Sequence, residues 1–205
     1  MSWVQWRDRA VGPSNWRVSV APVIEPVTVG ELRQHCRIDH TDEDELLVSY
    51  LIASRSWCEE YCRRSFITQT IQLRRPRFSS PMDLPRGPVQ SVTSVKYQDQ
   101  DDVQQTLSTD VYEFVDDPVM ARVGIRWNQN WPITALVELP VIISYVAGYG
   151  STAASVPSPI RQAIKMMAAQ MYEFREPIVS GTALASVPMA VEALLGPYRV
   201  LGSYE

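Results

Sequence analysis

Histidine, lysine and cysteine are scarce in this sequence of 205 residues, and each shortage narrows the chemistry open to it. The only histidines, His35 and His40, lie in no recognisable catalytic motif, and the sequence has no Gly-x-Ser-x-Gly elbow or phosphate-binding glycine-rich loop. Nucleophilic catalysis needs an activated Ser or Cys with a base within reach. Because no nucleophile, base and acid can be named together, the sequence predicts a protein that is not an enzyme and uses no cofactor.

Long hydrophobic runs are also missing. No uninterrupted apolar run approaches the ~20 residues that cross a bilayer, and the first residues lack the apolar stretch of a secretory signal. Three cysteines cannot all pair with one another, which favours a reducing compartment. We therefore expect synthesis in the cytoplasm and no membrane partner.

An excess of positive charge is absent as well. The formal net charge is −4, whereas DNA-binding modules usually carry a basic excess, so a general DNA-binding domain is disfavoured. Lys96 and Lys165 are the only lysines, and the remaining 19 − 2 = 17 basic residues are arginine. Arginine's planar fork suits bidentate pairing at protein interfaces and with phosphate.

Two helices are predicted near the start of the chain. Thr28 and Glu31 have the spacing of a capping box, which opens a short helix. Thr41 or Asp42 then caps a second helix, whose acidic first turn suits the positive end of the helix dipole. Apolar residues recur at three- and four-residue steps from Leu46 to Cys62, which predicts a long amphipathic helix.

The period changes to two from Phe66 to Gly150, and a third long helix follows. Alternating residues predict several strands, of which 136–145 is apolar on both faces and is expected to be central. Ser158 and Pro159 then have the arrangement of an N-cap followed by proline at the first helical position. The predicted fold is α+β: a small helical bundle core with a β-rich insertion between the second and third long helices, and extended N- and C-terminal arms.

The predicted organisation has five segments. They are an extended N-terminal arm (1–27), the first part of the helical core (28–65), the β-rich insertion (66–150), the second part of the helical core (151–176), and a C-terminal loop, short helix and docking tail (177–205).

The cysteines offer one candidate metal site. Cys58 and Cys62 lie one helical turn apart, and His35, Cys36 or His40 could supply a further zinc ligand. Both thiols also fall on the apolar stripe, where free cysteine behaves as a small hydrophobic residue. We therefore predict no metal site, and keep a zinc-stabilised nucleic-acid-binding module as an alternative.

Two further groups have a candidate role in binding. Trp3, Trp6 and Trp16 lie in the N-terminal arm and need a surface to pack on, either the chain's own core or a neighbouring subunit. Four arginines in the insertion could line a DNA channel, or could instead form a solvated loop face or an inter-subunit salt-bridge surface: Arg74, Arg75, Arg77 and Arg86.

Several motifs, taken in order, resemble the head–tail connector (head-completion adaptor) proteins of long-tailed phages and gene transfer agents. The similarity extends over most of 26–200. The segments that carry it are 26–28, 37–44 (RIDHTDED), 67–70 (ITQT), 84–92 (LPRGPVQSV), 145–150 (YVAGYG), 156–164 (VPSPIRQAI) and 198–200 (YRV).

The resemblance implies a structural subunit that is made in the host cytoplasm and acts in the virion, at the head–tail interface. It implies a homo-oligomeric ring of twelve copies beneath the portal protein, around the passing double-stranded DNA and under a stopper or tail-completion protein. In the family a C-terminal segment grips the portal, and the corresponding residues here are Tyr198, Arg199, Val200 and Leu201. Another virion or tail-completion protein is the alternative of the same structural kind.

Overall fold

Helices and strands of the computed structural model separate into two units. The structure describes residues 15–175 and 189–201. Within these, the helical unit comprises 22–68, 148–175 and 189–200, and the sheet unit comprises 15–21, 69–147 and 201. Each unit has its own hydrophobic core. The predicted α+β class is confirmed.

The helical unit is built from four helices. They are α1 (Val29–Cys36), α2 (Asp44–Cys62), α3 (Ser158–Glu173) and α4 (Met189–Leu195), with short 3₁₀ turns at Ala153–Ser155 and Gly196–Tyr198. Helix α3 packs against α1, α2 and α4, so it lies at the centre of the unit. No helix in the described part of the chain is long and apolar enough to cross a membrane.

The predicted capping box at the start of α1 is confirmed. The Glu31 N–H donates to Thr28 Oγ1 over 3.2 Å, and the Thr28 N–H donates to Glu31 Oε2 over 2.8 Å. These two bonds satisfy backbone donors that the first turn of a helix leaves without partners. Local sequence alone therefore sets where this helix begins.

The start of α2 differs from the prediction. The helix begins at Asp44, its N-cap is Glu43, and no side chain caps it. The Glu43 carboxylate instead accepts hydrogen bonds from Tyr172 Oη (2.7 Å) and Arg175 Nη2 (2.6 Å) near the end of α3. The predicted cap at Thr41 or Asp42 is wrong because these residues belong to a turn before the helix, in which the Asp44 N–H donates to the Thr41 carbonyl over 3.1 Å.

The sheet unit contains two antiparallel sheets. The first has the order β1–β2–β8–β4–β5 and the second has the order β3–β7–β6. The strand bounds are β1 Trp16–Val20, β2 Gln69–Arg75, β3 Met82–Asp83, β4 Val89–Gln98, β5 Gln104–Thr106, β6 Tyr112–Val115, β7 Arg122–Ile125 and β8 Val141–Ala147.

Strand β8 is the central strand of the larger sheet, as predicted, but it begins five residues after the expected start at residue 136. Leu139 has a φ of +55°, a left-handed conformation that interrupts extended backbone, and Pro140 follows it. Val141, Ile143, Tyr145 and Ala147 are then all fully buried on one face of the strand.

Part of the expected N-terminal arm is a strand. Trp16–Val20 forms β1, an edge strand that pairs with β2 and places Trp16 opposite Leu73. Trp16 packs against the core of the sheet unit. Residues 1–14 of the expected arm, with Trp3 and Trp6, lie outside the described residues.

The β-rich insertion leaves the helical unit and returns to it through two paired segments. Ile67 and Gly150 form a parallel bridge, and the Thr68 N–H donates to the Gly150 carbonyl over 3.0 Å. The Tyr149 N–H donates to the Phe66 carbonyl over 2.9 Å. The two ends of the insertion therefore lie side by side.

Candidate functional site

The C-terminal segment carries the predicted docking residues, and its position starts with α4. Val191 and Leu195 of this helix are fully buried in the core of the helical unit. Helix α4 ends in the 3₁₀ turn that contains Gly196 and Pro197, and proline commonly follows the end of a helix because it cannot continue one. The chain then runs back along the C-terminal end of α2.

Three contacts hold the residues after α4 on α2. Arg64 Nε–H donates to the Tyr198 carbonyl over 2.7 Å, and the Val200 N–H donates to the Cys62 carbonyl over 3.0 Å. The Arg199 guanidinium lies 4.8 Å from the centroid of the Tyr61 ring, within range of a cation–π interaction. We call residues 198–200 the C-terminal anchor.

The anchor divides the four predicted docking residues into two kinds. Val200 is only 3% exposed, and Tyr198 and Arg199 are half-buried against their own helical unit. Leu201, the next residue, is 81% exposed. The docking role stays a prediction, and the geometry favours Leu201 over the other three as a side chain accessible to a partner.

The four arginines predicted to line a DNA channel are not equally accessible. Arg74 and Arg77 are exposed and Arg75 is half-buried. Arg86 is 8% exposed, and its guanidinium lies 4.7 Å from the centroid of the Trp16 ring. The channel role stays a prediction, and the exposed pair fits it better than Arg86, whose charge is directed at an indole.

A buried charge network that sequence reasoning missed lies near the end of α2. Glu59 is 3% exposed; it accepts hydrogen bonds from Arg55 Nη1 (2.8 Å) and from the Phe66 N–H (2.7 Å). Arg55 Nε also donates to Glu25 over 2.7 Å. The four-residue spacing of Arg55 and Glu59 was the available signal. This network fixes the turn after α2, next to the residues that the anchor contacts.

The cysteines are placed as core residues. Cys58 and Cys62 are fully buried, and Cys36 is half-buried. Burial, with the nearby Cys62 and Glu59, raises the pKa of Cys58 to about 12. Within 15–175 and 189–201, no group of three or more His, Cys, Asp or Glu side chains is placed to hold a metal ion. The zinc-site alternative finds no ligand set there.

This placement predicts the order in which the thiols react. Since the thiolate is the nucleophile, burial and a raised pKa make Cys58 inert. At pH 8 we expect iodoacetamide to alkylate Cys36 in the folded protein and to reach Cys58 and Cys62 only after denaturation. Peptide mass spectrometry at intervals measures this order. Alkylation of Cys58 in the native protein as fast as Cys36 would contradict the buried placement.

Comparisons with known proteins agree with this architecture. The sequence model of the phage gp6-like head-tail connector protein family matches residues 26–121. A solved chain from the neck of an empty gene transfer agent (GTA) particle, computed with C6 symmetry, superposes with a TM-score of 0.76 at 27% identity, covering 91% of this chain and 96% of that one. A search of curated proteins finds no match.

Two more solved chains show the same similarity. One comes from the virion of the native GTA particle, with a TM-score of 0.77 and 26% identity, and covers 91% of this chain and 96% of that one. The other comes from the neck of the native particle computed with C12 symmetry, with a TM-score of 0.73 over the same shares. At 24% identity it supports the fold alone.

A structural connector is the class of protein that the fold and these matches support. The resemblance to the phage head–tail connector family, indicated by the ordered sequence motifs, is confirmed.

Proposed function

We propose that this chain is a head–tail connector subunit of a virion, forming a ring of twelve copies beneath the portal protein. The ring extends the channel for double-stranded DNA and gives the stopper or tail a platform, and its subunits catalyse nothing. The observation that carries this proposal is the similarity to a GTA neck chain over 91% of this chain and 96% of that one.

Ring formation is supported by symmetry and by an unusual helix surface. The neck that contains the similar chain was computed with C6 symmetry, which a ring of twelve copies satisfies. In this chain, residues 46–54 of α2 carry no charge, and Val48 and Ile52 are 39% and 43% exposed on its outer side. Val48 and Ile52 lie one helical turn apart, so they form a single apolar strip on the surface of the helix. A ring interface, which is heterologous and large, would cover it.

Portal binding is supported by the anchor. It holds residues 198–200 in place and so fixes the position from which the chain continues to Leu201. A segment that starts from a fixed point loses less conformational entropy on binding than one that starts from a mobile point. The tail after Val200 is therefore the proposed portal-binding segment.

A pair of truncations tests this assignment. Ending the chain after Val200 removes Leu201 to Glu205 but leaves the anchor, so we expect the variant to fold normally and to lose at least tenfold in affinity for the portal. Affinity is measured by co-sedimentation with the purified portal ring, and folding by circular dichroism.

The matched control ends the chain after Ser203, which removes two residues and leaves Leu201. It should retain most of the affinity. Undiminished binding by the variant that ends after Val200 would assign portal contact to another surface.

A further inference from the structure

We propose that the outer face of the five-stranded sheet is a phosphate-binding surface for double-stranded DNA. This inference rests on the proposed function and names the part of the subunit that faces DNA. The outer face is defined as the side of the sheet opposite the buried row that includes Ile71, Ile143 and Val95.

The strand registers bring the three cations of this face together. Arg74 lies opposite Ile142 of β8, and Ile142 lies opposite Lys96 of β4. Arg17 of β1 lies opposite Gln72 in the neighbouring row. Since adjacent strands are about 4.8 Å apart, Arg74 and Lys96 stand about 10 Å apart across β8. Arg17 and Arg74 are exposed and Lys96 is half-buried.

Acidic residues are excluded from this sheet. Strands β1, β2, β4, β5 and β8 contain no Asp or Glu, although the chain as a whole has four more acidic than basic residues. The nearest acids along the chain lie in the β4–β5 turn, where the Asp99 carboxylate accepts bonds from the Val103 N–H (3.0 Å) and Gln105 (2.8 Å). The Asp99 carboxylate therefore stabilises the β4–β5 turn.

The cations of the outer face have no carboxylate partner in the described residues. Arg17 donates to the amide oxygen of Gln72 through Nη2 (2.9 Å) and Nε (3.2 Å), which orients the guanidinium without neutralising it. Arg74 and Lys96 make no ion pair with any residue in 15–175 or 189–201. In the helical unit, by contrast, Arg55 and Arg161 are paired with glutamates.

The neutral side chains favour DNA over an acidic protein as the occupant. Between the cations lie hydroxyl groups, Ser94 on β4 and Ser144 on β8, which are opposite one another. Hydroxyl, amide and cationic side chains are the usual donors to phosphate oxygens, and these contacts read no sequence. A few phosphate contacts give weak, salt-dependent binding, as a channel for moving DNA requires. A protein partner would be expected to need apolar anchors, and the two rows that hold the cations, Arg17–Gln72–Ser144–Ser94 and Arg74–Ile142–Lys96, contain one aliphatic side chain, Ile142.

The test is a titration of the full-length chain with a 12-base-pair duplex at 20 mM and 100 mM NaCl, followed by amide chemical shifts. We expect shifts on β1, β2, β4 and β8 that weaken at the higher salt. The variant R17Q/R74Q/K96Q should raise the Kd at least tenfold at 20 mM NaCl. Its plot of log affinity against log salt should be shallower by about 2–3, because each phosphate contact contributes about 0.9.

A second triple variant, R37Q/R122Q/K165Q, removes the same charge from outside this face and should change the Kd less than threefold. Equal losses in both variants, shifts confined to other strands, or no binding by the wild type would overturn the proposal. Portal co-sedimentation of the same variants separates this proposal from the proposed function. Loss of portal binding with unchanged DNA binding would make the face a docking site for an acidic protein, and absence of portal binding by the wild type would count against the connector role itself.

Discussion

Replacing Glu59 with alanine will destabilise the helical unit by about 3 kcal/mol, the lower part of the range measured when one partner of a buried ion pair is removed. The change takes away the acceptor of the Phe66 N–H and one of the two carboxylates around Arg55. The second carboxylate, Glu25, remains in contact with Arg55, which is why the upper part of the range is not expected. Urea unfolding followed by circular dichroism at 222 nm measures the change.

Two control variants identify the cause. Glu59→Gln keeps an acceptor for the Phe66 N–H while removing the charge, so it should lose less stability than Glu59→Ala. Glu138→Gln changes an exposed glutamate outside this network and should stay within ~0.5 kcal/mol of the wild type. If Glu59→Ala and Glu138→Gln had equal effects, the buried network would not be a determinant of stability.

Replacing Gly148 with alanine will lower the unfolding temperature by about 6–12 °C, which corresponds to ~3 kcal/mol in a chain of this size. Gly148 has a φ of +128°, a conformation that L side chains rarely adopt. An added Cβ would also lie 2.6 Å from the backbone carbonyl of Ile67, which cannot move without breaking the pairing around it. Conformational strain and steric overlap therefore act together.

Gly30→Ala is the matched control for this variant. Gly30 lies in α1, and the nearest atom to an added Cβ is Thr28 Oγ1 at 4.0 Å. Alanine in a helix is favoured over glycine by roughly 0.5–1 kcal/mol, so this variant should melt at the same temperature or slightly above it. Differential scanning calorimetry compares the two. A melting temperature equal to that of the wild type for Gly148→Ala would show that the paired segments 66–68 and 148–150 can move apart to accept the added Cβ.

The start of α1 and the buried face of α2 could be predicted from the sequence, because they depend on residues three or four positions apart. The capping box of Thr28 and Glu31 depends on residues three apart, and it is present as expected. The apolar stripe of α2 likewise predicted the buried face that includes Leu47, Leu51 and Cys58. These patterns repeat at the period of the helix itself, so they can be identified without knowledge of the partner surface.

Features that depend on distant partners could not be predicted. Trp16–Val20 alternates apolar and polar residues over only five positions (WRVSV), too short a signal to predict a strand by itself, and its hydrogen bonds come from β2, more than fifty residues later. Arg86 has the sequence context of a loop cation, and only the fold brings it over Trp16. Glu43 has the position of a helix-capping residue, but it pairs with the end of α3. In each case the structure is decided by a contact between residues distant in the sequence.

Strand register explains why the candidate DNA surface differs from the arginine cluster seen in the sequence. Arg74 and Arg75 are neighbours in the chain, but successive side chains in a strand point to opposite faces. Arg74 therefore joins Lys96, twenty-two residues away, while Arg75 lies in the row of Val141. Proximity along the sequence was a poor guide to a shared surface.

The pairing of 66–68 with 148–150 has a consequence for how this chain can diversify. The residues at which the chain enters and leaves the insertion are hydrogen-bonded neighbours. The two parts of the helical unit are therefore joined directly at this point, whatever the length of the insertion. Lengthening a hairpin or exchanging a strand beyond that junction leaves the geometry of the junction unchanged. The surface of the sheet unit can thus change during evolution while the packing of α1 to α4 is retained.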